Sequence, residues 1–196
     1  LVRLERNEYA EAASDFTALI REEPDVFLAY VHRARANVGL DNRGEAIADF
    51  ETALEMRPDY VPGYRPYAML LFGDEQFAEA GEYFRRAWED VHPNDPRDHG
   101  MAMLAALSWK FAGEPGRAKR FLEGAAVDLP QDTLYYEMAR YYLRSASARR
   151  GLDVRILREI ENEPERALQI RMKFYLAGQY EVDERRSSAV TLYREV

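Results

Sequence analysis

The chain repeats itself every 34 residues. This period constrains the fold more than any other feature, because a chain made of copies of one small unit folds by stacking those copies. Phe16, Phe50 and Phe84 are 34 apart. Ala12, Ala46 and Ala80 repeat the spacing four residues earlier, and Leu19, Ala53 and Ala87 three residues later. A small-x-x-x-aromatic-x-x-small string puts i, i+4 and i+7 on one helix face, so it predicts an amphipathic helix. Pro24 and Pro58 close the first two units, and the third ends one place late at His92-Pro93. A second periodic segment lies upstream: Tyr30 and Tyr64, and Ala34 and Ala68, are also 34 apart. Gly39 and Gly73 fall near its end, where a left-handed cap residue is expected. The predicted unit is helix, turn, helix.

Between the third and fourth units the phase slips by four, Tyr64 to Ala102 being 38 residues, and the excess reads as a loop insertion over residues 93–98. Ala102, Ala106 and Trp109 open the fourth unit, and Ala118, Leu122, Ala125 and Pro130 complete it. The fifth runs through Tyr136, Ala139, Leu143, Leu152, Ile156 and Ile160 to Pro164. Beyond it, Gln179-Tyr180 reads as a turn, with an apparent insertion of six residues before Ala189 and Tyr193 restore the small-x-x-x-aromatic pair. The expected organisation is one solenoid over residues 1–196, with units near 1–26 (partial), 27–60, 61–97, 98–131, 132–165 and 166–196 (divergent and partial). Residues 1–9 read as the tail of a first helix, and neither end shows a polar capping helix. The expectation is therefore an excised segment of a longer repeat protein.

These residues resemble the tetratricopeptide repeat family, whose 34-residue unit carries a W-x2-L-G-x2-Y…A-x3-F…P skeleton. The likeness covers nearly the whole chain and is best over residues 27–60. The third unit follows, with Asp74-Glu75-Gln76-Phe77-Ala78-Glu79-Ala80 and Phe84-Arg85-Arg86-Ala87. The fifth departs most: Arg140 takes the eighth place, where a small residue is usual, and Leu152 replaces the second helix's alanine. The resemblance implies an all-α fold, a right-handed α-α superhelix of antiparallel helix pairs whose first helices line a concave groove. Places five, nine and twelve of each first helix would face that groove. They are Val31, Arg35 and Val38; Arg65, Met69 and Phe72; Met103, Leu107 and Lys110; and Glu137, Tyr141 and Arg144. Apolar area with isolated cations suits a peptide or helix ligand, and the same spacing equally describes inter-helix core. One subgroup of the family clamps acidic chaperone tails with Lys and Asn at fixed places. Here the ninth places hold Arg35, Met69, Leu107 and Tyr141, so that clamp is absent, while Arg35, Arg65, Lys110 and Arg144 leave a looser track for an acidic partner.

Other features narrow the function by exclusion. Lys and Arg total 27 against 35 Asp and Glu, a formal charge of -8, which argues against nucleic acid as a partner. Apolar runs fall far short of the ~20 residues of a membrane span, so a soluble chain is expected, with cytoplasm and periplasm both open, since bacterial repeat proteins of this type occur in each. The chain has no cysteine, and no phosphate loop, H-E-x-x-H or G-x-S-x-G motif occurs. No cofactor and no catalysis are expected. Two histidines and two aspartates in the stretch from His92 to His99 offer metal-ligand types, though not at a recognised spacing. Pro62 and Pro66 predict a tightened or delayed helix start. The expected function is a protein-interaction adaptor holding a peptide or partner protein in the groove, with a self-assembling scaffold, a homo-oligomer through its terminal repeats, as the alternative.

Overall fold

The computed structural model describes residues 1–90 and 98–196, and among them it is entirely helical. The chain divides into two compact units, Leu1–Asp90 and Val91–Val196, so the division falls where the period slips.

Unit 1 holds α1 (Val2–Glu5), α2 (Tyr9–Glu22), α3 (Phe27–Gly39), α4 (Arg43–Met56), α5 (Val61–Gly73) and α6 (Phe77–Glu89). Its core is the periodic set itself. Ala12, Ala34, Ala46, Ala53, Ala68, Ala80, Phe50 and Phe84 are all essentially inaccessible, the alanines letting paired helices touch while the phenylalanines fill the space between pairs. A buried ion pair adds register: Arg33 on α3 donates to both carboxylate oxygens of Asp49 on α4, at 2.8 and 2.6 Å, and reaches Thr17 on α2 at 3.3 Å. Glu23 and Arg57 end the second helices by leaving the helical region, at φ -134° and -137°, because each precedes a proline.

The left-handed turn residues are not the glycines. Gly39 and Gly73 are the last residues of α3 and α5, and the positive φ angles belong to Asn7, Asp41 and Glu75, again 34 apart, at 59°, 58° and 61°. Gly39 is needed for space instead: a Cβ there would lie 2.5 Å from the ring of Tyr9. The start of α5 is not delayed either. Pro62 sits in its first turn, where no helical N–H is required, and the helix runs through Pro66 to Gly73.

Unit 2 holds α7 (His99–Phe111), α8 (Pro115–Asp128), α9 (Leu134–Leu143), α10 (Ala146–Arg150), α11 (Asp153–Glu161), α12 (Arg166–Val182) and α13 (Arg186–Tyr193). Its departures explain themselves locally. The fifth pair has no left-handed turn: Arg144 and Ser145 are extended, the Ser145 side chain accepts the Ala148 N–H, and the second helix is broken into α10 and α11. Its register differs by one from the expected one. Ala139 is the buried small residue and Arg140 is exposed, so the skeleton reads Tyr135-x2-Met138-Ala139-x2-Tyr142. The sixth pair has no insertion, since Gln179 and Tyr180 lie inside α12 and the turn comes at Glu184, with φ 58°. The loop insertion expected over residues 93–98 lies outside the described residues apart from Asp98, whose carboxylate caps α7 through the Gly100 N–H.

Candidate functional site

The two units treat the expected groove stripe differently. In unit 1, Arg35, Val38, Arg65 and Met69 are exposed, Val38 at 46% and Met69 at 50%, and Phe72 is half-buried. Val31 is an exception at 4%, part of the core. Val38 on α3 and Pro66, Met69, Leu70 and Gly73 on α5 line an open depression of about 410 Å³. Arg43 stands at its rim, paired with Asp41 at 3.2 Å. An exposed Met among apolar neighbours, with guanidiniums nearby, is a surface that can adapt to apolar side chains and orient carboxylates.

In unit 2 the same repeat places are interior. Residues Gly100 through Trp109 of α7 are all buried, Met103 and Leu107 completely. The cause is α12, which packs on both α7 and α9. Gly178 allows the approach: a Cβ there would lie 2.8 Å from both Leu107 methyl carbons. The Tyr175 hydroxyl donates to the Gly100 carbonyl at 3.5 Å, and the Tyr142 hydroxyl to the Tyr175 carbonyl at 2.6 Å. Met103, Leu107 and Tyr141 are therefore core, not groove lining. Tyr141 also follows from the register: with Ala139 at the eighth place, Tyr141 takes the tenth rather than the ninth, on a buried face, and its hydroxyl donates to Asp153 at 2.5 Å.

A polar network stitches α12 in place. Lys110 donates to Gln179 Oε1 at 2.5 Å and to the Tyr142 carbonyl at 3.2 Å, its ammonium 4.4 Å from the Tyr142 ring centre. Arg149 forks onto Asp183 at 2.9 and 2.5 Å, and Asp183 also accepts from Gln179 at 3.0 Å. Arg185 donates to Asp153 at 2.6 Å. Burial, with repulsion from Arg149, pushes Lys110 down to about 7 against the pull of Asp183. Burial and the hydrogen bond to Asp153 push Tyr141 far up. Lys110 thus serves an internal joint. Glu137 is half-buried and bridged by Arg140 at 3.4 Å and Arg155 at 3.7 Å, and Arg144 is exposed.

Sequence reasoning missed Pro66 and Leu70, although their spacing from Met69 was legible. It also missed the covering role of α12, which no residue pattern in α7 announces. His32 stacks on Phe16 with ring centres 5.2 Å apart, and its buried Nδ1 has no hydrogen-bond partner. Burial, with the Arg35 charge, lowers its pKa, so it is a neutral packing residue. No group of three metal-binding side chains occurs among the described residues, and the stretch from His92 lies outside them up to Asp98. No described helix is long and apolar enough to cross a membrane.

The stacked helix pairs, their alanine contacts and their periodic turns are those of the tetratricopeptide repeat fold. A solved structure confirms it: YrrB, described as a TPR protein with an unusual peptide-binding site, superposes with a TM-score of 0.51 at 20% identity, over 92% of this chain and 90% of its own. Among curated proteins, the chain is similar to the Hsp70-Hsp90 organizing protein of Triticum aestivum, 28% identical over 80% of this chain and 26% of that protein. It is also similar to the mitochondrial import receptor subunit TOM70 of Rattus norvegicus, 24% identical over 74% of this chain and 24% of that protein. The chain therefore spans about a quarter of the length of these relatives. No protein-family model matches it.

Proposed function

We propose that the chain is a protein-interaction module, without catalytic chemistry of its own, that holds a peptide or partner protein against the first-helix face of unit 1. The observation that carries this reading is the contrast within one chain. At equivalent repeat places Met103 and Leu107 are sealed, whereas Arg65 and Met69 are open to solvent beside Val38 and Arg35. Exposed apolar residues that cluster at a depression, rather than scattering singly, mark an interaction surface. A relative named as an organizing protein for two chaperones and a solved neighbour titled for its peptide-binding site support the same kind of role here. The site is read as Arg35, Val38, Arg65, Met69 and Phe72, with Pro66 and Leu70 forming its floor.

The test uses the chain as bait, compared with a variant carrying Arg35→Glu, Arg65→Glu and Met69→Glu. All three residues are exposed, so helicity and thermal midpoint should stay within a few degrees. A captured partner should be lost by about tenfold or more, as expected for hot-spot residues. Undiminished capture by the variant would place the site elsewhere.

A further inference from the structure

Unit 2 carries, in its own chain, a helix seated on the repeat places that unit 1 leaves open. The 38-residue offset pairs Pro62 with Gly100, Arg65 with Met103, Met69 with Leu107 and Phe72 with Lys110. On α7 these places meet α12: Tyr175 reaches Gly100, Gly178 lies against Leu107, and Gln179 accepts from Lys110. The contacts ascend together along both helices, and residues three and four apart share one face of α12. The repeat architecture thus shows, in one place, how it takes a helix across a first helix.

We propose that the first-helix face of unit 1 binds an amphipathic helix of a partner protein in this manner, with a small residue over Met69, apolar side chains toward Val38 and Phe72, and carboxylates toward Arg35 and Arg65. The inference rests on the reading of that face as the binding site, and it adds the occupant's secondary structure and charge. Three features of α3 and α5 support it. Met69 and Val38 present apolar area at the place where Leu107 meets Gly178. Pro62 stands where Gly100 does, and its carbonyl receives no helical N–H because the residue four places on is Pro66. It therefore offers a hydrogen-bond acceptor where the Gly100 carbonyl takes the Tyr175 hydroxyl. The third is charge. Where α7 has apolar Met103, α5 has exposed Arg65, and α3 adds exposed Arg35, so an occupant carrying carboxylates at those places is matched in charge.

The experiment uses the whole chain and a labelled 17-residue peptide with the α12 sequence, residues 166–182, carrying Arg171→Glu and Lys173→Glu to reverse the sign of its net charge. Binding is followed by fluorescence anisotropy and peptide helicity by circular dichroism. The acidic peptide should bind, gain helicity on binding, and lose about tenfold in affinity against either a Met69→Glu or an Arg35→Glu chain. It should also lose about tenfold when it carries Gly178→Pro, which breaks the helix. The unaltered basic sequence should bind more weakly than the acidic one. A Gly178→Pro peptide that binds as tightly as its parent overturns the helical mode while leaving peptide binding in place. An acidic peptide that fails to bind overturns the inference, the capture experiment then deciding the broader reading. One that binds indifferently to Met69→Glu and Arg35→Glu overturns both.

Discussion

Gly178→Ala should destabilise unit 2 even though alanine is the better helix former. At an open helical site the exchange is favourable. Gly124 on α8 has nothing within 4 Å of where a Cβ would stand, so Gly124→Ala should stabilise by about 1 kcal/mol. Gly178 offers the same propensity gain, but its Cβ would lie 2.8 Å from Leu107 Cδ1 and Cδ2 and 3.3 Å from Cγ. Leu107 is fully buried and has nowhere to swing. Overpacking of this kind costs about 1–3 kcal/mol, so the net effect is a loss of up to about 2 kcal/mol, and at least about 1 kcal/mol below Gly124→Ala. Each unit holds one tryptophan, Trp88 in unit 1 and Trp109 in unit 2, so a Trp88→Phe background lets urea unfolding of unit 2 be followed by Trp109 emission alone. Leu107→Ala, itself costing about 2–5 kcal/mol, should remove the penalty, giving a coupling of about 1–3 kcal/mol in the double mutant. If Gly178→Ala stabilised as much as Gly124→Ala, α12 would not lie against α7, and the sealing of the stripe in unit 2 would have no cause.

Three further outcomes follow from the same geometry. Asp49→Ala strands the part-buried Arg33 guanidinium and should cost unit 1 about 2–3 kcal/mol, whereas removing the exposed Arg57–Asp59 pair should leave the urea midpoint nearly unchanged; equal effects in urea titrations would contradict the assignment. Lys110, at about 7 when folded and about 10.4 when unfolded, is protonated more in the unfolded chain between these values, so unit 2 should gain stability from pH 7 to pH 9. Lys110→Met should flatten that rise, and a wild-type midpoint that falls over the same range would refute it. His32 has its folded pKa below 6.5, so unit 1 should lose stability as pH falls through 6.5, the unfolded chain taking the proton first; the Trp88 signal should show that loss vanish in His32→Phe.

The sequence carried the fold wherever a side chain had only one place to go. Phe50, Phe84 and the alanines around them are core because nothing else at that spacing lets helices touch, and the prolines end second helices by a backbone restriction that acts locally. The turns were misjudged, since the left-handed conformation falls on Asp41 and Glu75 rather than on Gly39, whose need is set by the Tyr9 ring, a contact that lies 30 residues away in sequence. Tyr141 left the stripe for a smaller reason: counting from the period puts Arg140 at the eighth place, but the small residue that lets the helices touch is Ala139, and a shift of one moves a helical residue by about 100°. The loss of Met103 and Leu107 from the expected site was not legible at all. It depends on where α12 packs, and a groove residue has the same chemistry as a core residue until something covers it.

Equivalent repeat places are open at Met69 and sealed at Leu107. The chain has no cysteine, so Met69→Cys and Leu107→Cys each create a single thiol whose labelling rate by a maleimide reads its exposure directly. Near-free reactivity is expected at position 69 and protection by about a hundredfold or more at position 107, released only as unit 2 opens. Equal rates at the two positions would contradict it.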